Sequence, residues 1–132
     1  MPAAIVAVYV LVVVLHLMMK PVTCIPTVVT MTNDMDGEVL NVHCHSAEDD
    51  LGWHAVNFQS SYVISFEDNF TGTTLFTCDF NANGPFPTTS IIVFRGYAYG
   101  PNMPCYATCT WTVKTSGFFD NGVFNTPWAP RV

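Results

Sequence analysis

The stretch CYATCTWTVK, Cys105 to Lys114, alternates without a break. Cys105, Ala107, Cys109, Trp111 and Val113 fall on one side, and Tyr106, Thr108, Thr110, Thr112 and Lys114 on the other. A period of two marks a half-buried β-strand. In a strand, residues four apart are separated by about 13 Å, beyond the reach of a disulfide. Cys105 and Cys109 must then each look to another strand, which leaves Cys44 and Cys78 as partners. Cys44–Cys109 with Cys78–Cys105 is the favoured pairing, and the swapped arrangement stays open.

The fifth cysteine, Cys24, belongs to a different part of the chain. Ala3 to Met19 is an apolar run broken by one histidine, and Lys20-Pro21 and a Val-Thr-Cys tripeptide follow it. This is the layout of a secretory signal peptide over residues 1–24, with cleavage after Cys24. Residues 25–132 then form one domain with four cysteines, an even number that reads as two disulfides in an oxidising compartment. The expected product is secreted and extracellular, with no stable membrane insertion once the leader is gone.

Working outward from the cysteine strand, short strands and turns fill the chain, and no helix is evident beyond the leader. Val28 to Asn33 is β-branched and opens the domain. Asn33-Asp34-Met35-Asp36-Gly37 is turn chemistry. Glu38 to His45 puts Leu40, Val42 and Cys44 on one face and Asn41, His43 and His45 on the other. An acidic loop, Ser46 to Gly52, leads to a short strand over Trp53 to Phe58. Ser61 to Glu67 points Tyr62, Ile64 and Phe66 inward, and Thr73 to Phe80 aligns Thr74, Phe76, Cys78 and Phe80. Asn81 to Pro87 and Ala98 to Pro104 are Gly/Pro loops flanking a strand over Ser90 to Tyr97. Gly117 to Phe124 forms a last hairpin turning at Asp120-Asn121-Gly122. The tail from Thr126 reads as loose. About seven to eight strands with frequent turns predict a small antiparallel β-sandwich with two disulfides.

Charge excludes some functions. The chain carries 4 bases against 10 acids, a net charge of −6. Loss of Lys20 with the leader makes it −7. Scattered bases cannot neutralise a phosphate backbone, so no nucleic-acid partner is expected. A basic protein surface is the natural complement.

The stretch HCHSAEDDLG, residues 43 to 52, holds two histidines, a cysteine and three acids. His43 and His45 point the same way at about 6.6 Å spacing, and His54, Glu48, Asp49 and Asp50 are near in sequence. Cys44 faces away from them and serves a disulfide, so the histidines read as surface residues and no metal site is expected. Consecutive acids lack the spacing of a calcium loop. No G-x-S-x-G turn is present and the cysteines are expected to be oxidised, so neither a serine nor a thiolate nucleophile is expected. The chain is expected not to be an enzyme and to need no cofactor. Phe66, Phe76, Phe80, Phe94 and Trp111 read as core; Trp53 and the pair Phe118-Phe119 are candidates for a surface anchor, with core or inter-sheet packing the favoured reading. Asn69-Phe70-Thr71 is an N-glycosylation acceptor.

Four blocks together, VVTMTND (28–34), VHCHSAEDDLG (42–52), SYVISFEDNFTGTTLFTCDF (61–80) and CYATCTWTV (105–113) followed by Gly117, resemble the plant self-incompatibility protein S1 family, the S-protein homologues founded on the poppy stigma S-protein. The resemblance runs from about Val28 to Phe119. It implies a small secreted β-sandwich with structural cysteines at Cys44, Cys78, Cys105 and Cys109. It also implies a signalling ligand recognised by a cell-surface protein through exposed hydrophilic loops. Asp49, Asp50, Leu51 and Gly52 then belong to the candidate recognition loop, and Asn69 is the candidate glycan site. One departure is Ala82, where the family often has an aromatic two residues after the F-x-C-x-F block. The competing class is a secreted defence or carbohydrate-binding β-sandwich acting on a microbe or the cell wall.

Overall fold

A computed structural model describes residues 3–18, 26–67, 73–96 and 108–130. A helix, α1 (Ala3–Met18), coincides with the apolar run, and its side chains from Ile5 to Val14 are exposed. No helix among the described residues is long and apolar enough to cross a membrane.

Among the described residues nine strands follow: β1 (Thr27–Asn33), β2 (Leu40–His45), β3 (Asp50–Val56), β4 (Ser61–Phe66), β5 (Leu75–Ala82), β6 (Phe86–Arg95), β7 (Thr108–Lys114), β8 (Gly117–Asp120) and β9 (Val123–Thr126). They form a five-stranded sheet in the order β4-β1-β7-β8-β9 and a four-stranded sheet in the order β3-β2-β5-β6. Alternation sets the faces: β1, β2 and β5 each bury every second residue. The buried faces meet in one core, with Val29, Met31, Ile64, Trp111, Val113 and Phe118 from one sheet against Leu40, Val42, Phe76, Phe80 and Val93 from the other. The expected β-sandwich is therefore present, with one pairing the alternation could not reveal. β1 runs parallel to β7, with Val29 beside Cys109. Period-two patterning fixes which face a residue takes, not the direction of its neighbour.

The favoured disulfide pairing is not the one observed. Cys44 and Cys78 face each other across β2 and β5 and are bonded, with Cα atoms 4.0 Å apart. Cys109 lies in the other sheet, on β7, and is a free thiol. Its thiol is half-buried, and burial first, then the Asp120 charge, raises its pKa. The described part of β7 begins at Thr108, so the reach argument against a Cys105–Cys109 bridge, which treated Cys105 as part of that strand, has no support. Cys105, the 98–104 loop and Asn69 lie outside the described residues.

Other boundaries moved for identifiable reasons. The 81–87 loop shrinks to residues 83–85, because β5 runs on to Ala82 and β6 starts at Phe86. Pro87 is accommodated where the β5–β6 register shifts between Phe80 and Ala82, a bulge that needs no N–H from it. A second shift, at Phe76/Thr77, lets the neighbours Val93 and Phe94 both be buried. The β8–β9 hairpin turns where expected. Asn121 (φ 48°) and Gly122 (φ 83°) both adopt the left-handed conformation that a tight two-residue turn requires.

The described part of the tail, to Pro130, is not loose. Trp128 lies 4.7 Å from Phe118 and 5.1 Å from Phe86, ring centre to ring centre, and its indole N–H donates to the Lys114 carbonyl (2.8 Å). Ala129 N–H donates to Thr89 Oγ1 (2.9 Å), tying the tail to the four-stranded sheet. A single tryptophan among prolines gives no periodicity, so only the packing shows its role.

Two polar contacts join the sheets through the core. The Trp111 indole donates to Val93 O (3.2 Å). Asn33 is fully buried at the end of β1. Its Nδ2 donates to Val56 O (2.9 Å) and Glu38 O (2.8 Å), and its Oδ1 accepts from Met35 N–H (2.9 Å). That last bond shapes the turn that delivers Met35, a residue without sequence periodicity, into the core. Asn33→Ala strands a buried donor and two carbonyls, so the variant should lose on the order of 3 kcal/mol in urea unfolding. A loss below about 1 kcal/mol would show that water replaces the side chain.

Candidate functional site

The outer face of the four-stranded sheet follows from its inner face. Burial of Leu40, Val42 and Cys44 turns Asn41, His43 and His45 outward on β2, and burial of Phe76, Cys78, Phe80 and Ala82 turns Thr77, Asp79 and Asn81 outward on β5. Because Cys44 pairs with Cys78, His43 pairs with Asp79. Trp53 on β3 stands beside His43, and Ser90 on β6 stands beside Asp79. The result is a row across all four strands: Trp53, His43, Asp79, Ser90. A second row is bonded through Asn41 Nδ2 to Asn81 Oδ1 (3.0 Å) and Asn81 Nδ2 to Thr88 Oγ1 (3.4 Å).

His43 is the hub of the first row. Its Nε2 is 2.6 Å from Asp50 Oδ1 and its Nδ1 is 3.2 Å from Asp79 Oδ2, while His45 Nε2 lies 3.4 Å from that same Asp79 oxygen. Ser90 Oγ donates to the other Asp79 oxygen (2.5 Å). The hydroxyl is thus engaged by a carboxylate rather than a histidine, and the row has no nucleophile–base pair of the serine-hydrolase kind.

The acidic segment divides in two. Residues 46–49 form a turn in which Ser46 N–H donates to Asp49 O (2.7 Å) and Ser46 Oγ accepts from Asp49 N–H (3.1 Å). Asp50, Leu51 and Gly52, expected in an exposed loop, instead open β3. His43 pairs with Trp53 and His45 with Asp50, so Leu51 and Gly52 together face the single residue Cys44. This is a β-bulge, and Gly52 at φ 73° supplies the left-handed residue it uses. The bulge aims Asp50 back across the sheet, where its Oδ1 accepts from both Gly52 N–H (3.0 Å) and the His43 ring.

These contacts set the charges. The hydrogen bond that the His43 ring donates to Asp50 lifts the His43 pKa above the ordinary 6.5, the charges of Asp50 and Asp79 add to the rise, and partial burial opposes it. Asp50 is held below the usual carboxylate value, first by the Gly52 N–H and then by His43. His54 belongs elsewhere. It hydrogen-bonds Leu51 O (2.8 Å) and stacks on Tyr62 at 4.4 Å, closing the side of the sandwich where β3 meets β4.

Of the expected recognition loop, Asp50 joins His43 and His45, which the sequence reads as ordinary surface residues, while Asp49 stays in the turn beside them and Leu51 and Gly52 form the bulge; His54 and Glu48 have no bond to the cluster. Trp53 is an exposed aromatic at 52%. Phe118 is fully buried, and Phe119 packs on Phe124. Asp79 and Ser90 were missed. The signal for them was the Cys44/Cys78 register, which the favoured pairing with Cys109 concealed.

The molecule is a small β-sandwich with an intrasheet disulfide and an ordered polar outer face. Residues 28–129 match the family model described as plant self-incompatibility protein S1. S-protein homolog 5 of Arabidopsis thaliana is 37% identical over 91 residues, covering 69% of this chain and 67% of that protein. S-protein homolog 25 of the same plant is 31% identical over 108 residues, covering 79% and 78%. A solved structure of SPH (Self-Incompatibility Protein Homologue) proteins, described as small, highly stable, secreted proteins from plants, superposes with a TM-score of 0.59 at 20% identity, covering 84% of this chain and 96% of that one. The chain belongs to the plant self-incompatibility protein S1 family.

The His43 geometry has a measurable consequence in metal-free protein. The imidazole should titrate above 6.5 by NMR. A pKa raised on folding means that the protonated ring stabilises the fold at low pH, and that this contribution fades as pH rises through the folded value. Asp50→Asn should bring the titration down. A value at or below 6.5 in the parent protein would contradict the contacts drawn here.

Proposed function

We propose that the chain is a secreted signalling or interaction protein of the self-incompatibility S1 type, recognised by a cell-surface protein after residues 1–24 are removed as a leader. Family membership is the observation that carries this reading. Its acidic charge and polar outer face support it. The recognition surface comprises the turn carrying Glu48 and Asp49, the adjoining start of β3 at Asp50, Leu51 and Gly52, and the exposed Trp53. An acidic, partly apolar patch of this kind suits a basic partner surface with an apolar centre. Asn69, in the segment before β5, carries a glycan in this account. No catalytic residue and no cofactor enter it.

The turn is held by Ser46 and by the main chain of Asp49, so Asp49→Ala removes charge without removing those bonds. Disulfide-intact protein should bind plant cell membranes saturably, and reduction with alkylation should abolish binding. Asp49→Ala combined with Glu48→Ala should weaken it about tenfold, a size typical of rim charges acting together. Absence of saturable binding to membranes, with retention on cell-wall polysaccharide, would replace this reading with the carbohydrate-binding one.

A further inference from the structure

We propose that His43, His45 and Asp79 form a surface site for one late first-row divalent cation, with zinc the best-fitting ion. One ligand atom from each of the three lies within 4.8 Å of the other two. Tetrahedral zinc, with bonds of about 2.0–2.1 Å, separates neighbouring ligand atoms by about 3.3 Å. Asp79 Oδ2 is 3.2 Å from His43 Nδ1 and 3.4 Å from His45 Nε2. Two of the three donor separations therefore already match a zinc site, and the third lies within 4.8 Å, a span that a small rotation of the exposed His45 ring can close.

The surroundings orient these donors. Asp50 accepts at His43 Nε2, which favours the neutral tautomer protonated there and leaves Nδ1 to bind an ion. Ser90 donates to Asp79 Oδ1 and leaves Oδ2 directed at the two histidines. A carboxylate behind a ligating histidine and a hydroxyl behind a ligating carboxylate are the outer contacts that tune protein metal sites. All three ligands sit on β2 and β5, whose register the Cys44–Cys78 bond fixes. Two imidazoles select zinc, copper, nickel or cobalt over magnesium and calcium, which take oxygen ligands.

The site is open. The side chains of His43 and Asp79 are 20% exposed and that of His45 is 38% exposed. His43 and His45 also border a shallow depression with residues 46–50, where Glu48, Asp49 and Asp50 add negative charge. A three-ligand ion there keeps a position for water or for a donor atom from another molecule. This inference stands apart from the receptor reading, since the ion can bind whether or not a receptor does.

The test is calorimetric titration of zinc chloride into chelator-stripped protein recovered from cells expressing the full chain. One zinc per chain should bind saturably, and magnesium should not. His45→Ala and Asp79→Asn should each weaken binding at least tenfold, and Asp50→Asn about tenfold through its effect on His43. His54→Ala should leave affinity unchanged. NMR of the parent protein supplies a second readout that needs no variant: zinc should shift the His43 and His45 ring signals and spare those of His54. Absence of saturation at millimolar zinc, full affinity in Asp79→Asn, or perturbation centred on His54 would each overturn the site.

Discussion

The register of β2 against β5 is the constraint on which the rest of the structure depends. With Cys44 opposite Cys78, the inward residues of both strands enter the core and the outward residues form a polar grid. A slip of β2 by one residue would carry His43 into the core and Val42 to the surface. Hydrophobic burial alone resists such a slip, and the covalent bond closes a loop of 34 residues in sequence and removes the alternative. A bridge of this span contributes about 3–4 kcal/mol in the chain-entropy picture. One bond on the inner face thus positions His43 against Asp79 on the outer face.

The two sheets are held together differently. Most of the interface is apolar and indifferent to small rotations. Asn33 and Trp111 are not, because each donates to one carbonyl of the opposite sheet. Together with Trp128, which packs over Phe86 and Phe118, they give a thin sandwich a fixed angle without a second described disulfide. Cys109, a free thiol, lies beside this interface and takes no part in fixing it.

Much of this architecture was legible in the sequence, and the losses have physical causes. β-Branched residues marked β1, alternation identified β2, β4, β5 and β7 and their buried faces, and Asn121-Gly122 announced the last turn. The bulges were not legible, because an inserted residue shifts the phase that alternation relies on. Gly52 was read as a loop glycine when it makes a bulge, so β3 was started three residues late. Trp128 and Met35 were unplaced because each enters the core from a turn or tail. The candidate site was half visible. His43, His45 and Asp50 are close in sequence, but Asp79 and Ser90 reach them only through strand pairing, which required knowing the cysteine partner.

The most direct measurement is a non-reducing peptide map of the secreted protein. The account predicts a cross-linked pair containing Cys44 and Cys78, with no bridge from either to Cys109. A peptide joining Cys44 to Cys109, or Cys78 to Cys105, would contradict the β2–β5 register and with it the polar row built upon it.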